Sequence, residues 1–391
     1  MVYQSEPMYV TDQPLFLNSA ILLTSTLDHY ELLSQVKEIE RSMGRPAPGS
    51  TGYMRYGPRC IDIDIIFAEG LCIDSPSLTI PHPRLAERSF VLKPLLDILP
   101  PSFTHPILNI PLSEICAAID MSSCVRVIPL QQPIPLVRPI IMGIVNCTPD
   151  SIFNAVASEA AVALAERLIA EGADILDFGG ESTRPGAAPV SVEEEIQRVI
   201  PVIQIIAKRF PGFPISIDTY RSETAKAALS AGAQIVNDVT GGLGDRFMMK
   251  TVSAAGAHFI CMHISDAENI HAALNSGGAA SARVASDLEL RVAAARGAGI
   301  PAWDISIDAG FGFGKNVHEN WELVHAPPRV GNHPMVVGVS RKRFLRGASD
   351  SNSAEALEGT CAVVAKMSAL GCEVFRVHDV ACIRAVLNPK P

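Results

Sequence analysis

The stretch EGADILDFGGESTR, residues 171–184, decides how the rest of the chain is read. It contains the end of a helical segment with a Gly, then a short β-rich apolar run, then an abrupt polar cluster. Gly just past a helix can take the left-handed conformation that closes it at low cost. The run 175–178 fits a parallel strand buried on both faces. The same helix–Gly–strand junction returns at AGAQIV (231–236) and AGAHFI (255–260). Other apolar runs end in polar residues in the same way. Run 140–145 ends in Asn146, 215–217 in Asp218-Thr219, and 235–236 in Asn237-Asp238. Run 259–262 ends in His263, 305–307 in Asp308, 335–339 in Ser340-Arg341-Lys342, and 374–377 in His378-Asp379. Helical segments fill the gaps. The spacing predicts helices over 159–171, over 191–210 with a Ser191/Glu194 capping box, and over 222–230 with Ser222 as cap. Eight such runs alternating with helices predict a (β/α)8 TIM barrel of the α/β class, with its active site where the strands end.

Working upstream, IPLQQPIPLVRPI (128–140) carries four prolines and one charge, and residues 128–137 read as a linker. The barrel is then expected over 138–391 and a separate α+β domain over 1–127. In the latter, 16–26 is a strand candidate, and 27–43 a helix with Leu32, Leu33, Val36 and Ile39 on one side. A second strand is expected over 62–67, with Glu69-Gly70 turning into a hairpin at 71–73. Length agrees, since 391 residues exceed what one core usually holds.

Composition narrows the function. With 48% hydrophobic and 19% charged residues the chain folds, and a net charge of −9 argues against general nucleic-acid binding. The nine Cys form no C-x-x-C pair, so they read as reduced thiols of an intracellular protein rather than a zinc site or disulfide framework. No apolar run reaches membrane-spanning length, so no membrane partner is expected. The first residues hold neither a signal-peptide core nor an Arg-rich amphipathic helix. A cytoplasmic location is expected, or a mitochondrial one if the natural chain begins earlier.

At the strand ends, Asp218, Asn237 and Asp308 can pair with the donors and acceptors of a flat heterocycle. Arg341, Lys342, Arg376 and His378 bring positive charge from the last two strands, where barrels often hold anions. Arg184 adds a guanidinium from the second loop. The set suits a polar ring joined to a phosphate-like leaving group. Taken singly, each residue has a plainer reading. An Asp ending a strand is often a helix cap or turn residue. His263 can serve only its own loop, and Arg341-Lys342-Arg343 can be a solvated patch. GFGFGK (310–315) lacks phosphate-loop spacing. Their joint recurrence carries the functional reading.

At these residues a family can be recognised. MGIVNCTPDS (142–151), DFGGESTRPGA (177–187), SIDTYR (216–221), VNDV (236–239), CMH (261–263), DAGFGFGK (308–315), VGVSRK (337–342) and RVHDV (376–380) resemble dihydropteroate synthase. That family condenses dihydropterin pyrophosphate with p-aminobenzoate, giving 7,8-dihydropteroate and pyrophosphate. The resemblance implies that Asp218, Asn237, Asp308 and Lys342, with Met262, hold the pterin. It assigns Asn146 to Mg²⁺, and Arg376, His378 and Asn146 to the pyrophosphate. Thr183, Arg184, Pro185, Phe313 and Ser340 would meet the second substrate. Catalysis would rest on Asp218, Lys342, Arg376 and His378, through departure of pyrophosphate, a resonance-stabilised pterin cation, and attack by the aniline nitrogen. A homodimer through the barrel is implied.

QPLFLN (13–18), IERSMGR (39–45), YGPRCIDIDIIF (56–67) and IPHPRLAERSFVL (80–92) resemble hydroxymethyldihydropterin pyrophosphokinase. This implies an incomplete ferredoxin-like domain, lacking the family's first strand and helix, expected to have weak or no kinase activity alone, with ATP as co-substrate if it is active. Asp62 and Asp64, two apart on a strand, share a face and would hold Mg²⁺. Arg59, His82 and Arg88 would grip phosphates, and Asn18 and Phe90 would contact the pterin. The fused order looks fungal-like. Two departures stand out in the barrel: the segment after Ser151 is short and without Gly, and Ala309 stands where Pro is usual. The shortened segment and the incomplete first domain motivate an alternative, a pterin-binding pseudoenzyme without turnover. A barrel lyase using Lys342 as a Schiff base is a further alternative.

Overall fold

In the computed structural model the second half of the chain closes into a ring of eight parallel strands. The structure describes all residues except 55, 101, 148–154, 183–189, 266–278, 346–352 and 389–391. The chain divides into two units, Met1–Val127 and Ile128–Pro391.

In the first unit β1 (Val2–Ser5) pairs antiparallel with β2 (Phe16–Asn18) and β5 (Cys124–Ile128), and β3 (Ile73–Asp74) pairs with β4 (Thr79–Ile80). Helix α1 (His29–Ser42) opens with a full capping box of Asp28 and Glu31. Helices α2 (Ser89–Leu96) and α3 (Leu112–Ala117) bury Leu92, Leu95, Leu112 and Ile115 with Leu85 in a small core. Several expectations fail here. Only Phe16–Asn18 of the stretch 16–26 joins a ladder, and Ile21 and Leu22 are exposed. Residues 62–67 form no strand, and the hairpin lies at β3–β4 instead. Residues 62–67 join no ladder among the described residues, although the Ile66 carbonyl accepts from the His82 amide at 2.7 Å. On α1, Val36 is buried as expected but Ile39 is exposed; the face turns on Glu40, which accepts from the Ile63 amide and pairs with Lys37 and Arg45.

In the second unit β6 (Ile134–Pro135) precedes the ring, formed by β7 (Ile140–Asn146), β8 (Ile175–Gly179), β9 (Ile215–Asp218), β10 (Ile235–Asp238), β11 (His258–Met262), β12 (Ile305–Asp308), β13 (Met335–Val337) and β14 (Val374–Val377). Helices α4 (Ala155–Ala170), α5 (Val192–Arg209), α6 (Ser222–Ala231), α7 (Met248–Ala255), α8 (Ala280–Gly297), α9 (Val317–His325), α10 (Ser353–Ala369) and α11 (Val380–Leu387) follow successive strands. All eight expected runs are ring strands. Gly172, Gly232 and Gly256, at the three quoted junctions, all have positive φ. Ser191 accepts from the Glu194 amide, but the Glu194 carboxylate goes to Arg198 rather than back to the cap. Ser222 is the first helical residue, not the cap; its amide is satisfied by Asp245.

Side chains alternate in and out along a strand. Ile175, Ile235 and Val374 meet Ile140, Met142, Ile260 and Val336 in an apolar inner layer. Two residues further along, the same inward rows carry Asp177, Asn237 and Arg376. The stretch 128–137 adds Ile128 and Ile134 to the apolar layer, so it covers greasy side chains at the bottom of the ring as well as joining two units. A lower layer without charge and an upper layer rich in it put the chemistry at one mouth.

Candidate active site

Strand register lines up the polar ends. Asn146 pairs with Gly179, Gly179 with Asp218, and Asp218 with Asn237, across β7 to β10. Met262 pairs with Asp308 across β11 and β12. At the centre, Arg376 Nε donates to Asp177 Oδ2 at 2.6 Å and Nη2 donates to Asp218 Oδ2 at 2.6 Å. Asn237 Nδ2 also donates to Asp177 Oδ2, at 3.1 Å. Burial would lower Arg376, but Asp177 and Asp218 outweigh it and hold the guanidinium charged. One cation cannot fully serve two buried carboxylates. Desolvation, with Asp177 nearby, pushes Asp218 up to about 7 in spite of Arg376.

Asp308 is buried; its Oδ1 accepts from the Gly310 amide at 2.7 Å. Burial pushes it up, opposed by that bond and by Lys342. Lys342 donates to the Phe311 carbonyl and sits 4.3 Å above the Phe313 ring. Burial draws Lys342 down to about 8, against the pull of Asp308. Arg341, just before it, has φ 57°, a strained left-handed position for a long side chain. Its amide donates to Thr360 Oγ1 and its guanidinium pairs with Asp379. Ser340 Oγ meets His378 Nδ1 at 2.9 Å and accepts from the His378 amide. Val239, Met262 and Ile264, with Tyr220 and Phe313, form an apolar wall beside these charges.

The structure thus gathers Asp218, Asn237, Asp308, Lys342 and Arg376, with Met262, Phe313, Ser340 and His378 around them and Asn146 exposed at the end of β7. Thr183, Arg184 and Pro185, and residues 152–154 of the short segment after Ser151, lie outside the described residues, while the rest of that segment enters α4. Sequence reasoning missed Asp177, the second partner of Arg376. Its signal was a carboxylate inside an apolar run, two residues past an inward Ile. It also missed Lys315, whose buried ammonium donates to the carbonyls of Gly310 and Phe313 and meets His263 Nδ1 at 3.1 Å. This lysine holds the turn that carries Phe313. His263 Nε2 also meets Asp287 Oδ2 on α8 at 3.0 Å, so His263 ties the end of β11 to α8 and to Lys315 rather than serving only its own loop, as the plainer reading had it.

The first unit has its own polar cluster. Asp62 pairs with Arg45 and with Arg59, the latter at 2.7 Å. The charges of Asp62 and Asp64 both act on His82. Exposure alternates along 61–64, so Asp62 and Asp64 still share a side although no ladder holds them. The Arg88 guanidinium lies 5.5 Å from the Phe90 ring centre. Nearby, a cavity of about 410 Å³ is lined by Ser5, Met8, Arg88 and Phe90. Asn18 Nδ2 donates to Ser5 Oγ at 2.9 Å, which brings it to the cavity's edge. Among the described residues, no group of three or more His, Cys, Asp or Glu is placed to hold a metal, and no helix is long and apolar enough to cross a membrane.

Comparison with known proteins agrees with this geometry. The family described as pterin binding enzyme matches residues 142–378, and 7,8-dihydro-6-hydroxymethylpterin-pyrophosphokinase matches residues 1–100. The folic acid synthesis protein fol1 of Pneumocystis carinii is 38% identical over 97% of this chain and 53% of its own length. The chain therefore spans about half of that relative. A mitochondrial folate synthesis bifunctional protein of Arabidopsis thaliana is 36% identical over 97% of this chain and 74% of its own. Dihydropteroate synthase of Xanthomonas albilineans, solved with 4-aminobenzoic acid, superposes with a TM-score of 0.60 at 38% identity, covering 65% of this chain and 93% of that one. The chain belongs to the pterin-binding enzyme family, carried in the two-part form of the folate synthesis proteins.

Proposed function

We propose that the barrel condenses dihydropterin pyrophosphate with p-aminobenzoate to give 7,8-dihydropteroate and pyrophosphate. The observation that carries this reading is Arg376 shared between Asp177 and Asp218 with Lys342 beside them. Asp218, Asn237 and Asp308 offer the acceptors and donors that a pterin ring needs. Lys342, Arg376 and His378 face the charge of the departing pyrophosphate. The methylene carbon–oxygen bond to pyrophosphate breaks, a carbon–nitrogen bond to the aniline forms, and that nitrogen gives up a proton. The cation that develops meets two carboxylates already in place. The apolar wall with Phe313 suits the benzoate ring, and Thr183, Arg184, Pro185 and Ser340 are the residues that the family resemblance assigns to the same substrate.

Mg²⁺ fits the donors present, since it binds through one or two oxygen ligands plus substrate phosphates. Asn146 would supply an amide oxygen at the mouth, and the metal would neutralise the leaving pyrophosphate. In the first unit, Asp62 and Asp64 would hold Mg²⁺ against ATP, Arg59, His82 and Arg88 would take phosphates, and Asn18 and Phe90 would flank the pterin. We read this unit, residues 1–127, as a pyrophosphokinase for 6-hydroxymethyl-7,8-dihydropterin, feeding the barrel from 138 onward. The compartment is taken as a reducing one, cytoplasm or mitochondrion, and the assembly as a homodimer through the barrel.

The non-catalytic alternative asks only for pterin contacts and gives no reason for Arg376 and His378 to share the mouth. Pyrophosphate release from dihydropterin pyrophosphate, with and without p-aminobenzoate, tests the proposal. Release that depends on p-aminobenzoate is expected; tight pterin binding with no release would return the pseudoenzyme. Borohydride trapping of a pterin adduct on Lys342 would instead revive the lyase.

A further inference from the structure

Of the nine cysteines, two make the one sulfur–sulfur contact found among the described residues. Cys361 on α10 and Cys382 on α11 bring their sulfurs to 3.4 Å, and both are half-buried. These helices also grip the turn that carries Lys342. Thr360, next to Cys361, accepts from the Arg341 amide, while Asp379, which leads into α11, holds the Arg341 guanidinium. We propose that Cys361 and Cys382 are an oxidation site, a dithiol that a low-molecular-weight disulfide converts into an intramolecular disulfide joining α10 to α11.

The chemistry balances as thiol–disulfide exchange. One cysteine thiolate attacks the small disulfide and releases its first thiolate. The second cysteine attacks the mixed disulfide and releases the other. Two protein thiols are oxidised, one disulfide is reduced to two thiols, and the protein's two protons pass to the leaving thiolates. The bond would fix from both helices a turn whose Arg341 is strained in the left-handed region.

The test uses the full chain in mixtures of oxidised and reduced glutathione. Peptide mapping by mass spectrometry is expected to find a 361–382 cross-link with no glutathione on either residue. The melting temperature should rise by about 3 °C or more, and reductant should reverse the rise. In Cys361→Ser and Cys382→Ser variants the remaining thiol has no partner and should retain glutathione. Two results would overturn the proposal: both thiols still open to alkylation at ratios that oxidise exposed Cys60 and Cys72, or separate glutathione adducts on Cys361 and Cys382 in the unmodified chain.

Discussion

The two polar clusters are inverses of each other. At the barrel mouth one guanidinium, Arg376, serves two carboxylates, Asp177 and Asp218. In the first unit one carboxylate, Asp62, lies between two guanidiniums, Arg45 and Arg59. Around Arg376 the carboxylates outnumber the guanidinium, while around Asp62 the guanidiniums outnumber the carboxylate they share, although Arg45 also pairs with Glu40. Asp218 is accordingly pushed up to about 7, while Asp62 is held below the ordinary range, its arginines overcoming the burial that would raise it. A site that must meet a developing cation is better with spare carboxylate, and one that must hold a polyphosphate is better with spare guanidinium. The settings differ too. Asp177 is fully buried, whereas the side chains around Asp62 are 23–30% exposed. Burial makes the first cluster strong and intolerant of loss; solvent weakens the second.

The contrast can be broken most severely at Arg376. Arg376→Ala leaves Asp177 buried without its cation and should cost about 3–5 kcal/mol in urea unfolding, with turnover abolished. A loss under about 1 kcal/mol would mean that the shared guanidinium is not what stabilises the mouth. Next in size, Lys342→Met should lower turnover roughly 10²–10³-fold while the far-ultraviolet spectrum stays unchanged. Equal turnover in this variant would remove Lys342 from the reaction.

The third effect is one of pH. Asp218 must be ionised, above about 7, and Lys342 protonated, below about 8. The profile of kcat/KM should therefore be a narrow bell with limbs near those values, belonging to the cluster as a whole. Stability moves with one sign. The raised Asp218 keeps its proton in the fold and loses it freely in the unfolded chain. Its contribution therefore falls as pH climbs from the ordinary carboxylate range to about 7. Asp218→Asn should flatten that part of the stability curve, and an unchanged slope would refute the assignment. The smallest effect belongs to the exposed cluster. Asp62→Asn should change stability by less than about 1 kcal/mol, yet abolish any ATP-dependent pyrophosphoryl transfer by the full chain. A large unfolding penalty there would make the two clusters energetically alike.

The barrel was legible because its pattern is local and repeated. Each helix–Gly–strand junction can be read without knowing its neighbours, and Gly172, Gly232 and Gly256 took the backbone form that the pattern demanded. The polar strand ends followed from the fold. Asp177 stayed hidden because its importance depends on a residue from the last strand, which no local reading supplies. Lys315 stayed hidden because its partners are backbone carbonyls. In the first unit, strands of two to five residues depend on partners distant in sequence, so 62–67 had the right composition for a strand but joins no ladder among the described residues.

Asp177 and Arg376 lie 199 residues apart, on the second and the last strands of the ring. Synthesis therefore fixes the order in which the pocket can appear. While the polypeptide is still leaving the ribosome, every earlier strand end is exposed without the guanidinium that neutralises it. Only when the final segment emerges and slots between β13 and β7 does the mouth come into being. A prematurely terminated product would then lack the whole pocket, not one contact of it.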